Sequence, residues 1–236
     1  MSRQIKKDFE DLCRFVQDYN LKDIVSNREA REHLSACHKK YYAYLIIIEE
    51  FRLVIEDARY SPQLTAPQFA YIQESCSDVG QSLFLTINGC YKGSRLLLRS
   101  SIENFLKGIS FDEDDSIVTT KSVYEVFDKA KLTTAFSRGK ISIHQDLHNI
   151  YTTLCQDVHT ADTNHMASIS ALNHFPKYDS GEFNSIQNLI KRLVNNYITV
   201  LSLKFNQQYH HIGYMNKEIL NSEVKREYKK EVQNVN

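Results

Sequence analysis

His144, His148, Tyr151, Cys155 and His159 recur at spacings of 4, 3, 4 and 4, which brings them to one side of a helix. Imidazoles titrate near neutrality and serve as general acid or base, and a tyrosine among them can position a phosphate or a water. The plainer alternative is a half-buried helix face, with Tyr151 and Cys155 in the core and the histidines at its edges. His144 and His148 also have the i, i+4 geometry of a metal pair, with Asp146, Cys155 or Asp162 as third ligand, but the sequence has no HExxH and no second ligand cluster. The phosphate loop GxxxxGK[ST], the GxSxG elbow and the GxGxxG fingerprint are absent too.

A second polar set precedes it. Asn88, Lys92, Arg95, Arg99 and Glu103 fall within roughly 40° of one line along a helix that advances about 100° per residue. They flank an apolar stripe of Phe84, Tyr91, Leu98, Ile102 and Phe105. Such a stripe can hold an anion, because arginine presents a planar fork that binds phosphate at two points while Glu103 orients the neighbouring guanidinium. Lys92 and Arg95 would then bind substrate. The same spacing also suits ordinary i, i+4 surface pairs worth a few tenths of a kcal/mol.

Helices are what must position these groups. Ile5, Phe9, Leu12, Val16 and Tyr19 predict an opening amphipathic helix. Ser26 and Glu29 read as a capping box, behind which Leu34, Cys37, Tyr41, Leu45, Ile48, Phe51 and Ile55 carry a second helix to about Arg59. The third is expected from Pro67 to about Ile109, with a break near Ser75 to Gly80. An acidic loop at Asp112 to Asp115 and a short helix from about Lys121 to Phe136 follow. Ser142 and Gln145 form a second capping box, and that helix should end near His159. Residues 162 to 175 suggest a short helix, and Phe183 to about Tyr209 a long one built on Ile186, Leu189, Leu193, Tyr197, Val200 and Leu203. The Lys- and Glu-rich tail from 210 reads as a solvated or frayed helix.

Alternating strand patterns and fixed-period repeats do not occur, so the expectation is an all-α bundle of about six to seven helices. It is read as a single domain over 1–236, with its core at about 5–209. Lys plus Arg equals Asp plus Glu at 29 each, so no global field steers the chain toward nucleic acid, and any RNA contact must be local. The strongest apolar run, Tyr41 to Ile48, is too short to span a membrane, and the first residues lack the apolar stretch of a signal peptide. A soluble, cytoplasmic protein without membrane contact is expected. Cysteines 13, 37, 76, 90 and 155 form no CxxC pair and read as buried thiols.

Arg95-Leu-Leu-Leu-Arg99-Ser-Ser-Ile-Glu103, followed by Tyr151-Thr-Thr-Leu-Cys-Gln-Asp-Val-His159, resembles the paired signature of uncharacterised prokaryotic helical proteins of the HEPN-like kind. In those an Arg-xxx-Glu helix packs against a helix ending Tyr-xx-Leu-Ser-xx-Val-His; the likeness covers roughly residues 80 to 165. The resemblance implies a bundle that often dimerises and, in active members, a cofactor-free, metal-independent endoribonuclease of toxin, antiphage or stress-defence systems. Carried over, Arg99 would stabilise the phosphate, Glu103 would orient Arg99, and His159 would act as base or acid with Tyr151 beside it. The chain departs from the common nuclease motif, an Arg and a His separated by four to six residues on one helix. Its formal matches are Arg28 to His33, Arg31 to His38 and Arg138 to His144. Either the chemistry is rebuilt across two helices or this is an inactive relative. The competing readings are a non-catalytic module that binds a partner protein in a defence or toxin–antitoxin complex, and a metal-dependent hydrolase at His144 and His148.

Overall fold

The computed structural model describes residues 27–56, 64–137, 139–156 and 178–234. Among them nine α-helices and two 3-10 turns form, with no strand. The helices are α1 (Arg28–Glu56), α2 (Ala66–Ile87), α3 (Tyr91–Ser110), α4 (Val123–Lys131), α5 (Ile141–Gln156), α6 (Ser180–Lys204), α7 (Asn206–His211), α8 (Tyr214–Glu223) and α9 (Lys229–Gln233). The opening helix and the one expected at 162–175 lie outside the described residues. The count still exceeds six or seven, because two expected helices are each broken and the tail supplies two more.

α2 and α3 form an antiparallel hairpin held by small polar residues. Ser75 meets Ser101 at 3.0 Å, and Ser94 meets both Ser82 and Thr86 at 2.7 Å. Short hydroxyl side chains let two backbones approach closely while satisfying one another's hydrogen bonds. The break between the two helices is at Asn88 to Cys90, not at Ser75 to Gly80. Gly89 takes φ 69°, its N–H reaches the Thr86 carbonyl, and the Cys90 N–H reaches Leu85, which closes the helix with a left-handed glycine cap. Gly80 lies inside α2, where the missing side chain leaves room for the Tyr41 hydroxyl of α1.

The starts of the helices also shift from expectation. The Asn27 side chain accepts from Ala30 N at 3.0 Å and caps α1, whereas Ser26 is outside the described residues. Thr65 and Gln68 make a reciprocal capping box on α2. Ser142, read as a cap, is already inside α5 and meets the Tyr228 hydroxyl at 2.9 Å.

α6 is the central element, touching α1, α2, α3, α5 and the tail helices. Its residues from Asn196 to Leu203 are buried on every side, as a helix enclosed by others must be. It ends at Lys204 rather than running through to Tyr209, since Phe205 leaves helical geometry before α7. The tail is no solvated appendage: Leu220, Val224, Tyr228 and Val232 belong to the same core cluster as Cys37. Leu45 and Phe84, both placed on apolar stripes, are exposed, because Tyr44 and Ile47 on α1, and Leu83 on α2, face the bundle instead.

Candidate functional site

α3 carries Arg99 and Glu103 one turn apart, and α5 packs against that face. Tyr151 of α5 reaches both. Arg99 Nη2 donates to the Tyr151 hydroxyl at 3.0 Å, and that hydroxyl donates to Glu103 Oε1 at 3.2 Å. The guanidinium also lies over the phenol ring, with Cζ 5.2 Å from its centre. Arg99 Nε is buried and meets no partner among the described residues.

The electrostatics keep Tyr151 and Arg99 protonated. Burial, opposed by Arg99 and helped by Glu103, pushes the Tyr151 phenol up to about 12, so it stays a neutral donor. For Arg99, burial pulls downward, but the bond to Tyr151 and the neighbouring Cys155 and Glu103 outweigh it, holding the guanidinium above its usual range. Glu103 and Arg99 meet through the Tyr151 hydroxyl, where the sequence suggested direct action along the helix.

The rest of the α3 stripe divides. Asn88 caps α2 and is not on α3. Lys92 is exposed. Arg95 forms an ion pair with Glu182 in the first turn of α6, and Tyr91 beside it exchanges hydrogen bonds with the Asp179 backbone at 2.8 and 3.2 Å. This end of α3 is thereby clasped to α6, and Arg95, expected to bind substrate, is engaged at that junction.

The histidines divide too. His144 is buried, donates Nε2–H to the Phe127 carbonyl at 2.9 Å, and meets the edges of Phe127 and Phe136 at ring distances of 5.5 and 5.4 Å. Burial, against the Phe127 bond and with His148 and Lys131 adding to it, lowers its pKa. It is a core histidine with its outer nitrogen committed, while His148 lies half-buried against Phe127 at 5.0 Å. Among the described residues no three His, Cys, Asp or Glu gather as metal ligands. Asp146 turns the other way, to Arg192, to Asn196 at 2.9 Å and to Lys225 at 3.5 Å. Cys155 is buried, and Asp162 and His159 lie outside the described residues, as does Arg138; Arg28 pairs with Glu32.

Sequence reasoning missed Phe127, whose ring touches His144, His148 and Tyr151 and joins α4 to the polar face of α5. Its signal was the spacing Tyr124, Phe127, Lys131, two successive turns that put two aromatics and a cation on one side of a short helix. Comparison with protein-family models, curated proteins and solved structures finds no match.

Proposed function

We propose that this chain is a metal-independent endoribonuclease of the HEPN-like kind, acting as a homodimer in a toxin, antiphage or stress-defence system. The observation that carries the reading is the Arg99–Tyr151–Glu103 relay, which bridges the two helices the resemblance pairs. A guanidinium held at one Nη by a neutral phenol, with its Nε buried, keeps its other Nη for an anion.

In the proposed reaction Arg99 binds the non-bridging oxygens of the scissile phosphate and offsets the charge that gathers there. His159 removes the ribose 2′-OH proton, the 2′-oxygen attacks phosphorus, and the 5′-oxygen leaves and takes up a proton. The products are a 2′,3′-cyclic phosphate and a 5′-hydroxyl. With 29 positive and 29 negative side chains, binding depends on a local patch around Lys92 and Arg99 and falls as salt rises.

The test is incubation of total cellular RNA with the chain in EDTA, beside Arg99→Ala and His159→Ala, with the new ends mapped. Cleavage leaving cyclic or 3′-phosphate ends, absent in both folded variants, supports the reading. Intact RNA from a folded wild type refutes it.

One observation favours a second reading, a non-catalytic module that binds a partner protein. Both arginines of the stripe already have internal partners, Arg95 in Glu182 and Arg99 in Tyr151. In that case Arg99→Ala lowers Tm by several degrees, as breaking a half-buried charged network does, and no RNA is cut.

A further inference from the structure

A cleft of about 280 Å³ opens between α4 and α5, over the buried ring of Phe127. Tyr124 stands at its mouth with 64% of its surface exposed, and the His148 ring faces it at 6.3 Å between centres, tilted by 55°. Gln145 and Asn149 of α5 line the same cleft, one turn apart, with Lys131 of α4 across from them. Both amides are on exposed residues and meet no side-chain partner among the described residues.

These groups have one chemistry in common. Aromatic faces stack on flat rings of any sequence, and carboxamides present a donor and an acceptor side by side, matching the edge of a heterocycle that carries both. A phosphate alone would leave the rings uncovered, and a purely apolar ligand would strand the amides. The volume lies just under the range of about 300–1,000 Å³ typical of drug-sized ligands, which suits a single ring system.

The cleft also adjoins the arginine relay. Phe127 packs its edge on Tyr151 at 5.5 Å, and Arg99 Cζ is 5.2 Å from that same ring.

We propose that this cleft holds one nucleobase of single-stranded RNA, stacked on the exposed ring of Tyr124 beside His148 and read at its edge by Asn149 and Gln145. The choice of polymer rests on the ribonuclease reading, whereas recognition of a base rests on the cleft alone. His144 takes no part in it, since its Nε2–H is held by the Phe127 carbonyl.

The experiment titrates the full chain, in EDTA, with AMP and separately with ribose 5-phosphate, following the His148 ring protons by NMR, assigned with His148→Gln. AMP is expected to shift those signals saturably, and Tyr124→Ala and Asn149→Ala each to weaken the response about tenfold. Tyr124 is exposed, so its removal leaves the core intact, and Tyr124→Phe should retain binding. An equal response to ribose 5-phosphate, or AMP binding untouched by Tyr124→Ala, overturns the base site. RNA cleavage run alongside separates the two ideas: cleavage without an AMP response overturns the cleft and leaves the ribonuclease. An AMP response without cleavage supports the cleft and removes the ribonuclease.

Discussion

Arg99 and Tyr151, 52 positions apart in the chain, are joined by a 3.0 Å hydrogen bond and by the placement of the guanidinium over the phenol ring. Because the same hydroxyl donates to Glu103, the three residues form one unit rather than two pairs. Tyr151→Phe keeps the ring and deletes both bonds. Loss of about 1–3 kcal/mol is expected, from leaving Arg99 and Glu103 short of a partner. A double-mutant cycle of Tyr151→Phe with Arg99→Met, read by denaturant unfolding, should give a coupling of about 0.5–3 kcal/mol. Strict additivity would dissolve the unit.

Acid should weaken the fold through His144. Its folded pKa is lowered by burial, so between that value and the unfolded value of about 6.5 the unfolded chain binds more protons. The contribution is fully present above pH 6.5 and is lost as pH falls below it. Urea unfolding at pH 7 and pH 5 measures the loss, and His144→Gln, which keeps a donor for the Phe127 carbonyl, should flatten that dependence. An unchanged slope would remove His144 as its source.

Gly108 sets how closely α3 approaches α2. A Cβ there would stand 2.8 Å from Ile72 Cγ1 and 3.0 Å from the Gln68 carbonyl oxygen, and the latter is backbone that cannot swing aside. Gly108→Ala should cost about 1–3 kcal/mol by overpacking, against the gain that alanine brings to an open helix. Thermal unfolding of the variant reads the sign directly, and a raised Tm would mean that the hairpin yields.

The tail should be as necessary as the bundle. Leu220 is fully buried, and Leu220→Ala is expected to cost about 2–5 kcal/mol, or on the order of 5–15 °C in Tm. Glu223 is buried against Lys40 and 3.4 Å from Lys39 of α1. Burial raises its pKa but the bond to Lys40 and the lysine charges outweigh it, for a net lowering. Its stabilising share is present above the unfolded carboxylate value and is lost as pH falls through the lower folded one. Glu223→Gln should therefore flatten the acid limb of the stability curve, and no change there would place the clasp elsewhere.

Much of the helical plan was legible. The stripe through Cys37, Ile48 and Phe51, and the one through Ile186, Leu193, Tyr197 and Val200, face the core as their spacing implied. Helix boundaries were less so. Asn88-Gly89 is a strong helix stop, yet Asn88 also fits the phase of the polar stripe, and phase alone cannot say whether a helix continues. The tail differs for a related reason: its alternating charges suggest a solvated face, while five apolar residues, Ile212, Leu220, Val224, Tyr228 and Val232, enter the core.

At the site, spacing brought Arg99 and Glu103 to one face and His144, His148 and Tyr151 to another, because those relations are local and follow from 3.6 residues per turn. Which face meets which is a matter of packing between distant elements. Only the tertiary structure joins Arg99 to Tyr151, gives Arg95 to Glu182, commits His144 to a carbonyl on α4 and sends Asp146 toward α6. The sequence by itself determined an all-helical chain with its polar chemistry on two helix faces; the partners of those groups were decided by how α3, α4, α5 and α6 bury their apolar sides together.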